Sequence, residues 1–209
     1  EVSNAIGKDS RIGSKFLKTG PGFGGSCFKK DILNLVYLSR YYGLDDVANY
    51  WEKVVDINSW QKMRIYEEIV KRLFGNLVDK KIAILGFAFK ANTNDTRESP
   101  AIDICENLIN EGALLSIHDY KVTEENISRI LDDKSKNCWH YCKDVYDALK
   151  DAHATVILTE WSGYINLDWK RISKEIKSPF WIFDTRSILK YESFKNLNVN
   201  FWQIGNGNN

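Results

Sequence analysis

No stretch of this chain is apolar for the roughly 18 residues that a membrane-crossing helix needs, and no signal-peptide pattern opens it. No membrane contact and a cytoplasmic setting are therefore expected. Net charge is scarce too: 29 Lys and Arg against 28 Asp and Glu leave +1, too little for a broad footprint on nucleic acid or a lipid surface. The cysteines, at 27, 105, 138 and 142, lack the close spacing of a disulfide framework and read as reduced thiols. Histidine is limited to positions 118, 140 and 153. Cys138, His140 and Cys142 form half of a tetrahedral zinc site with no second pair nearby, so no metal is expected. The 7 tryptophans are scattered without the basic interleaving of a nucleic-acid platform.

Proline is also rare, absent from 22 to 99, and that gap fits long helices. Residues 31–74 carry helical periodicity with a break at Gly43. Asp45 or Asp46 can cap a second helix. Its apolar positions Val47, Trp51, Val54, Val55, Ile65, Ile69 and Leu73 run over roughly 28 residues, about twice the usual globular length. Such a helix is either buried within its own subunit or a connector between two domains. Gly75 to Asp79 marks a boundary, giving expected domains at 1–78 and 79–209. Beyond it short apolar runs alternate with helices. Strands are expected at 81–85, 114–118, 155–159, 180–184 and 200–204, and helices near 102–110, 145–151 and 169–176. The pattern predicts an α/β fold: a helical region followed by a Rossmann-like, doubly wound parallel sheet.

Ligands of such sheets lie beyond the carboxyl ends of the strands, where Gly86 to Arg97 and Asp184 to Arg186 fall. The G-x-G-x-x-G dinucleotide fingerprint is absent there. Asp119 ends the second strand at an acidic position, yet 33 residues after Gly86 rather than about 20, so no complete dinucleotide site is expected. His118 reads either as a nucleotide neighbour or as a satisfied strand histidine. The tail 205–209 is expected to lack regular structure.

The most informative stretch is Gly20-Pro21-Gly22-Phe23-Gly24-Gly25-Ser26-Cys27-Phe28-Lys29-Lys30-Asp31. Its glycines permit positive φ and close approach of backbone to ligand. Ile32, Leu33, Leu35, Val36 and Leu38 then continue as a helical stripe, with Ser26 as the expected N-cap. Cys27 so placed, at a helix start beside Lys29 and Lys30, has the setting of a nucleophilic thiol. Asp31 one turn on can hold a water. The alternative is a structural cysteine behind a glycine turn.

This stretch resembles the nucleotide-sugar 6-dehydrogenases, especially those that oxidise UDP-glucose. Further matches are Gly7-Lys8-Asp9-Ser10-Arg11-Ile12-Gly13, Phe16-Leu17-Lys18, Gly86-Phe87-Ala88-Phe89-Lys90, Asp95-Thr96-Arg97-Glu98-Ser99 and Phe183-Asp184-Thr185-Arg186, in the family's order. The resemblance implies a two-step oxidation of a sugar alcohol to a carboxylate with two NAD, through a thiohemiacetal and thioester on Cys27, with Asp31 assisting hydrolysis. It assigns substrate to Arg11, Phe16, Lys18, Gly22, Phe23, Gly24, Phe89, Lys90 and Arg186, Arg11 reaching a neighbouring subunit. It assigns NAD contacts to Cys27, Phe28, Lys30 and Arg97. It also implies a homodimer or higher homo-oligomer through helix 45–74.

The lone methionine, Met63, and the start in mid-pattern at Glu1 suggest a fragment whose family counterpart carries its NAD domain upstream. Such a fragment is expected to be inactive by itself. Alternatives are a GDP-mannose or UDP-N-acetylmannosamine dehydrogenase, or a nucleotide-sugar-binding module without chemistry. A cysteine acyl-transferase is a third class, but no histidine is near Cys27 in sequence. Asn94 and Thr185 stand where the family has glycine.

Overall fold

Alternation of small and branched apolar residues builds the centre of the molecule. In β1 (Lys81–Leu85), Ile82 and Ile84 join one core while Ala83 and Leu85 join the other, all fully buried. Burial on both faces is what a parallel sheet covered by helices requires, and each isoleucine or leucine side chain contributes about 1.5–3 kcal/mol on leaving water. The protein is described by a computed structural model that covers residues 2–14, 16–131 and 137–206.

The sheet has six parallel strands in the order β3-β2-β1-β4-β5-β6, with β2 at Leu114–His118, β3 at Trp139–Tyr141, β4 at Ala154–Ile157, β5 at Phe180–Asp184 and β6 at Val199–Gln203. The sheet is the doubly wound parallel one expected from sequence, with one strand more. Its order reverses between β1 and β4, so the carboxyl ends of those strands flank a crevice. Helix α4 (Pro100–Asn110) covers one face and α6 (Val145–Leu149) and α7 (Trp169–Ile172) the other. The sequence did not announce the three-residue β3, helix α5 (Glu124–Ile130) or the short helix α1 (Val2–Ile6). β4 begins and ends earlier than expected. Thr155 lies within it, and Leu158 and Thr159 follow its end, both N–H groups donating to the Leu85 carbonyl at 2.9 and 3.4 Å.

The helical part begins with α1 (Val2–Ile6), which has no buried residue, and continues with α2 (Phe28–Tyr41) and α3 (Asp45–Arg72). Gly43, at φ 72°, makes the turn between α2 and α3, a backbone region that glycine enters without strain. The 28-residue α3 spans two cores: Ala48 packs with Ile32 and Val36 of α2, while Ile65 and Ile69, followed by Leu73, enter the core of the sheet. Val47, Tyr50, Ile57 and Trp60 remain exposed on its outer side. Among the described residues no helix is long and apolar enough to cross a membrane. Of the expected tail, Gly205 turns against Thr19 and residues 207–209 lie outside the described residues.

Candidate active site

The glycine loop runs into α2 with one difference from the expected capping. Cys27, not Ser26, occupies the N-cap position, and no side chain caps the helix. Ser26 Oγ instead lies 3.5 Å from Cys27 Sγ. The helical ladder starts at once, Asp31 N–H donating to the Cys27 carbonyl at 2.8 Å. The exposed thiol thus stands at the positive end of a 14-residue helix, with the exposed Asp31 on the same face one turn away.

Close packing against the sheet explains the adjacent glycines. A Cβ on Gly24 would lie 2.4 Å from the Glu98 carbonyl oxygen, and one on Gly25 would lie 3.0 Å from the Phe89 ring. Gly25 N–H donates to the Arg97 carbonyl at 2.8 Å, and Lys29 Nζ meets Glu98 Oε2 at 2.8 Å. The loop bearing Cys27 is thereby pinned to the segment 89–98 that follows β1. Arg97 forks onto Asp95 at 3.0 and 2.8 Å. That pairing holds the Asp95 carboxyl below its ordinary range and raises Arg97.

Arg186 closes the crevice from the β5 side. Its Nε donates to the Leu158 carbonyl at 2.7 Å and its Nη2 to the Phe89 carbonyl at 2.9 Å. Nη1 lies 3.2 Å from Glu160 Oε2, an ion pair without hydrogen-bond geometry, and no hydrogen bond reaches that oxygen. Burial lowers the Arg186 pKa from its usual value while Glu160 supports the charge. Glu160 also accepts from Ala91 N–H at 3.3 Å. Lys90 is exposed, its Nζ 5.3 Å from the Phe89 ring centre. Asp119 is buried and accepts from the N–H groups of Phe87, Ala88, Lys121 and Val122 and from the Trp161 ring. His118 lies 2.9 Å from the Tyr164 hydroxyl through Nδ1 and is a satisfied strand histidine.

The fold therefore brings together Gly22, Phe23, Gly24, Cys27, Phe28, Phe89, Arg97 and Arg186, Phe28 stacking edge-on against Phe23 at 4.7 Å. Lys18, Lys30, Lys90 and Asp31 point to solvent at its margin. Arg11 and Phe16 are not drawn in. Arg11 forks onto Asp9 at 3.0 and 2.6 Å and Phe16 is 95% exposed. Sequence reasoning missed Asn58, Gln61 and Lys62, polar residues facing the glycine loop or α4 from α3, and the crevice residues Thr159 and Glu160. An interruption of the apolar stripe of α3 at 58 and 62 was the available signal. The two departures from the family pattern are explained. Asn94 is absent from the positive-φ residues while Asn92 has φ 65°, and the Thr185 hydroxyl donates to the Ile157 carbonyl at 2.6 Å. No cluster that could hold a metal ion occurs among the described residues.

Comparison with known proteins places these observations in one family pattern. The central domain of the UDP-glucose/GDP-mannose dehydrogenase family matches residues 1–60, and the UDP-binding domain of the same family matches residues 83–191. The chain is 47% identical to a UDP-glucose 6-dehydrogenase of Drosophila melanogaster, covering 98% of the chain and 45% of that protein. It is 45% identical to UDP-glucose 6-dehydrogenase 4 of Arabidopsis thaliana, over 98% of the chain and 46% of that protein. It thus spans less than half the length of these relatives. A UDP-glucose dehydrogenase structure from Pyrobaculum islandicum superposes with a TM-score of 0.78 at 28% identity, over 96% of this chain and 42% of that one.

Proposed function

This chain belongs to the UDP-glucose/GDP-mannose dehydrogenase family, and on that premise we propose that it forms the thiol-bearing and nucleotide-binding part of an NAD-dependent UDP-glucose 6-dehydrogenase. One observation carries the reading: the Gly24–Gly25 backbone is packed against Phe89 and Glu98, which sets the Cys27 thiol beside the carboxyl end of β1. Residues 1–78 act as the central helical domain and 79–209 as the domain that takes the UDP end. The exposed Lys90 and Lys18 meet the diphosphate. Arg186, whose Nε and Nη2 are bonded to carbonyls, contributes charge while bracing Phe89. The sugar lies along Lys18 to Gly24, with Phe16 at its outer end.

The chain's own chemistry is that of a capture site. The Cys27 thiolate adds to the carbonyl carbon of the intermediate aldehyde, forming a C–S bond and a thiohemiacetal that cannot diffuse away. Removal of a hydride from that carbon leaves a thioester. Asp31 orients the water that attacks it, breaking the C–S bond, freeing the carboxylate and returning the thiolate. With the Phe23 and Gly25 N–H groups committed to Asn58 and Arg97, donors for the oxyanion come from the start of α2.

NAD, when bound, supplies the acceptor for both hydrides. The turn after β1 does not fit its diphosphate, because the Phe87 and Ala88 N–H groups are already bonded to Asp119. Beside Cys27 the residues do fit: Phe28 and Lys30 are exposed, and the Arg97 guanidinium, paired with Asp95 yet 69% exposed, faces the same side to meet one end of it. The remaining contacts fall to the part of the relatives that this chain does not span, so the chain alone produces no NADH. Arg11 reaches a site in a second copy, the copies meeting through the exposed side of α3. A reducing compartment such as the cytoplasm keeps the thiol available.

Turnover of the full-length enzyme with Cys27→Ser tests the reading. Loss of NADH formation with UDP-glucose at unchanged melting temperature is expected, and wild-type turnover would refute it.

A further inference from the structure

Helix α3 carries an amide where its packing face asks for an apolar side chain. Asn58 is buried between Val54 and Val55 on one side and Lys62 and Ile65 on the other. Both ends of its amide bond one residue of the glycine loop: Phe23 N–H donates to Oδ1 at 2.8 Å and Nδ2 donates to the Phe23 carbonyl at 3.1 Å. A two-point bond of this kind fixes orientation as well as distance, as a rung between strands does. Gly22, at φ 129°, allows the approach, since a Cβ there would come 2.8 Å from Asn58 Oδ1. One turn on, Gln61 Nε2 donates to the Gly20 carbonyl at 3.1 Å.

We propose that Asn58 is a positioning residue for the Cys27 thiol, setting the path of the loop from Gly22 to Cys27 without touching the reacting atoms. The inference rests on the reading of Cys27 as the nucleophile. The mechanical chain is short. Asn58 holds the Phe23 backbone, the Phe23 ring meets Phe28 edge-on at 4.7 Å, and Phe28 follows Cys27 at the start of α2. The far side of the loop is held by Gly25 N–H on the Arg97 carbonyl. Without the amide, Gly22 to Gly24 regain glycine's backbone freedom and the thiol loses its fixed angle of attack. The nucleotide end of the substrate is held by other residues, so binding suffers less than capture.

The test is steady-state kinetics on the full-length enzyme with Asn58→Asp, Asn58→Leu, Tyr66→Phe and Cys27→Ser, each checked for its melting temperature. Asn58→Asp keeps the size and the acceptor for Phe23 N–H but faces the Phe23 carbonyl with a second acceptor, and it serves if the leucine variant does not fold. Tyr66→Phe removes the α3 hydrogen bond to Glu111, away from the loop. Both Asn58 variants are expected to lose about ten- to a hundred-fold in kcat with KM for UDP-glucose changed by less than about three-fold, while Tyr66→Phe keeps its kcat. Folded Asn58→Asp with parental kcat, or an equal kcat loss in Tyr66→Phe, would overturn the positioning role. Turnover by Cys27→Ser would instead remove the nucleophile on which the inference rests.

Discussion

Asp119 Oδ2 accepts the Phe87 N–H at 2.7 Å, and this bond decides what the turn after β1 can do. The same oxygen takes the Ala88 N–H and the Trp161 ring N–H. A turn that in a dinucleotide-binding domain would offer amides to phosphate here closes on its own protein. Asp119→Ala leaves those donors and the Val122 N–H buried without an acceptor, and frees the Lys121 N–H at the surface. Urea unfolding is expected to show a loss of about 3–5 kcal/mol, and a loss under about 1 kcal/mol would show that the turn stands without it.

Arg186 braces two carbonyls that no lysine can bridge with the same fork. Arg186→Lys is expected to weaken binding of UDP-glucose at least about ten-fold, because the Phe89 backbone loses its hold. Calorimetric titration of the full-length enzyme reads this directly, and parental affinity would place the nucleotide elsewhere.

Acid should destabilise the fold through its histidines. Burial lowers the pKa of His118, and burial likewise lowers His140 and His153. As pH falls, the unfolded chain takes up the proton first, so the stability contributed by neutral histidine is full above about pH 6.5 and is lost as pH drops through the lower folded values. Melting temperature is expected to fall below that pH. His118→Gln should start less stable at neutral pH yet lose less on acidification, and a parallel fall in both proteins would contradict the assignment.

Much of this was legible in the sequence because periodicity and glycine placement carry it. The apolar run of β1 reads as a parallel strand, and Gly24-Gly25 before Cys27 reads as a close approach of backbone to a ligand, whereas the groups it approaches are Phe89 and Glu98 of the chain itself. What the sequence hid were contacts between distant segments. Nothing near Asp119 says that its partner is the turn at Phe87, and nothing near Asn58 names Phe23, 35 residues earlier. Short elements also escaped: β3 has three residues, too few for alternation to register. The N-cap slipped by one residue because Ser26 is the better capping side chain, while close packing of Gly25 on Phe89 fixes where the helix begins.

On the proposed function, substrate choice turns on the same crevice. The full-length enzyme is expected to bind UDP-glucose at least about ten-fold more tightly than GDP-mannose, a difference of about 1.4 kcal/mol. Equal affinities would favour a broader nucleotide-sugar dehydrogenase.

If Cys27 holds the sugar covalently between two oxidations, the bound sugar can be trapped. Acid-quenching the full-length enzyme during turnover with UDP-glucose and NAD, then mass analysis of the peptide bearing Cys27, tests this most directly. An adduct of the oxidised nucleotide sugar on that peptide is expected, absent without substrate and absent in Cys27→Ala. An unmodified peptide, together with turnover that survives Cys27→Ala, would contradict it.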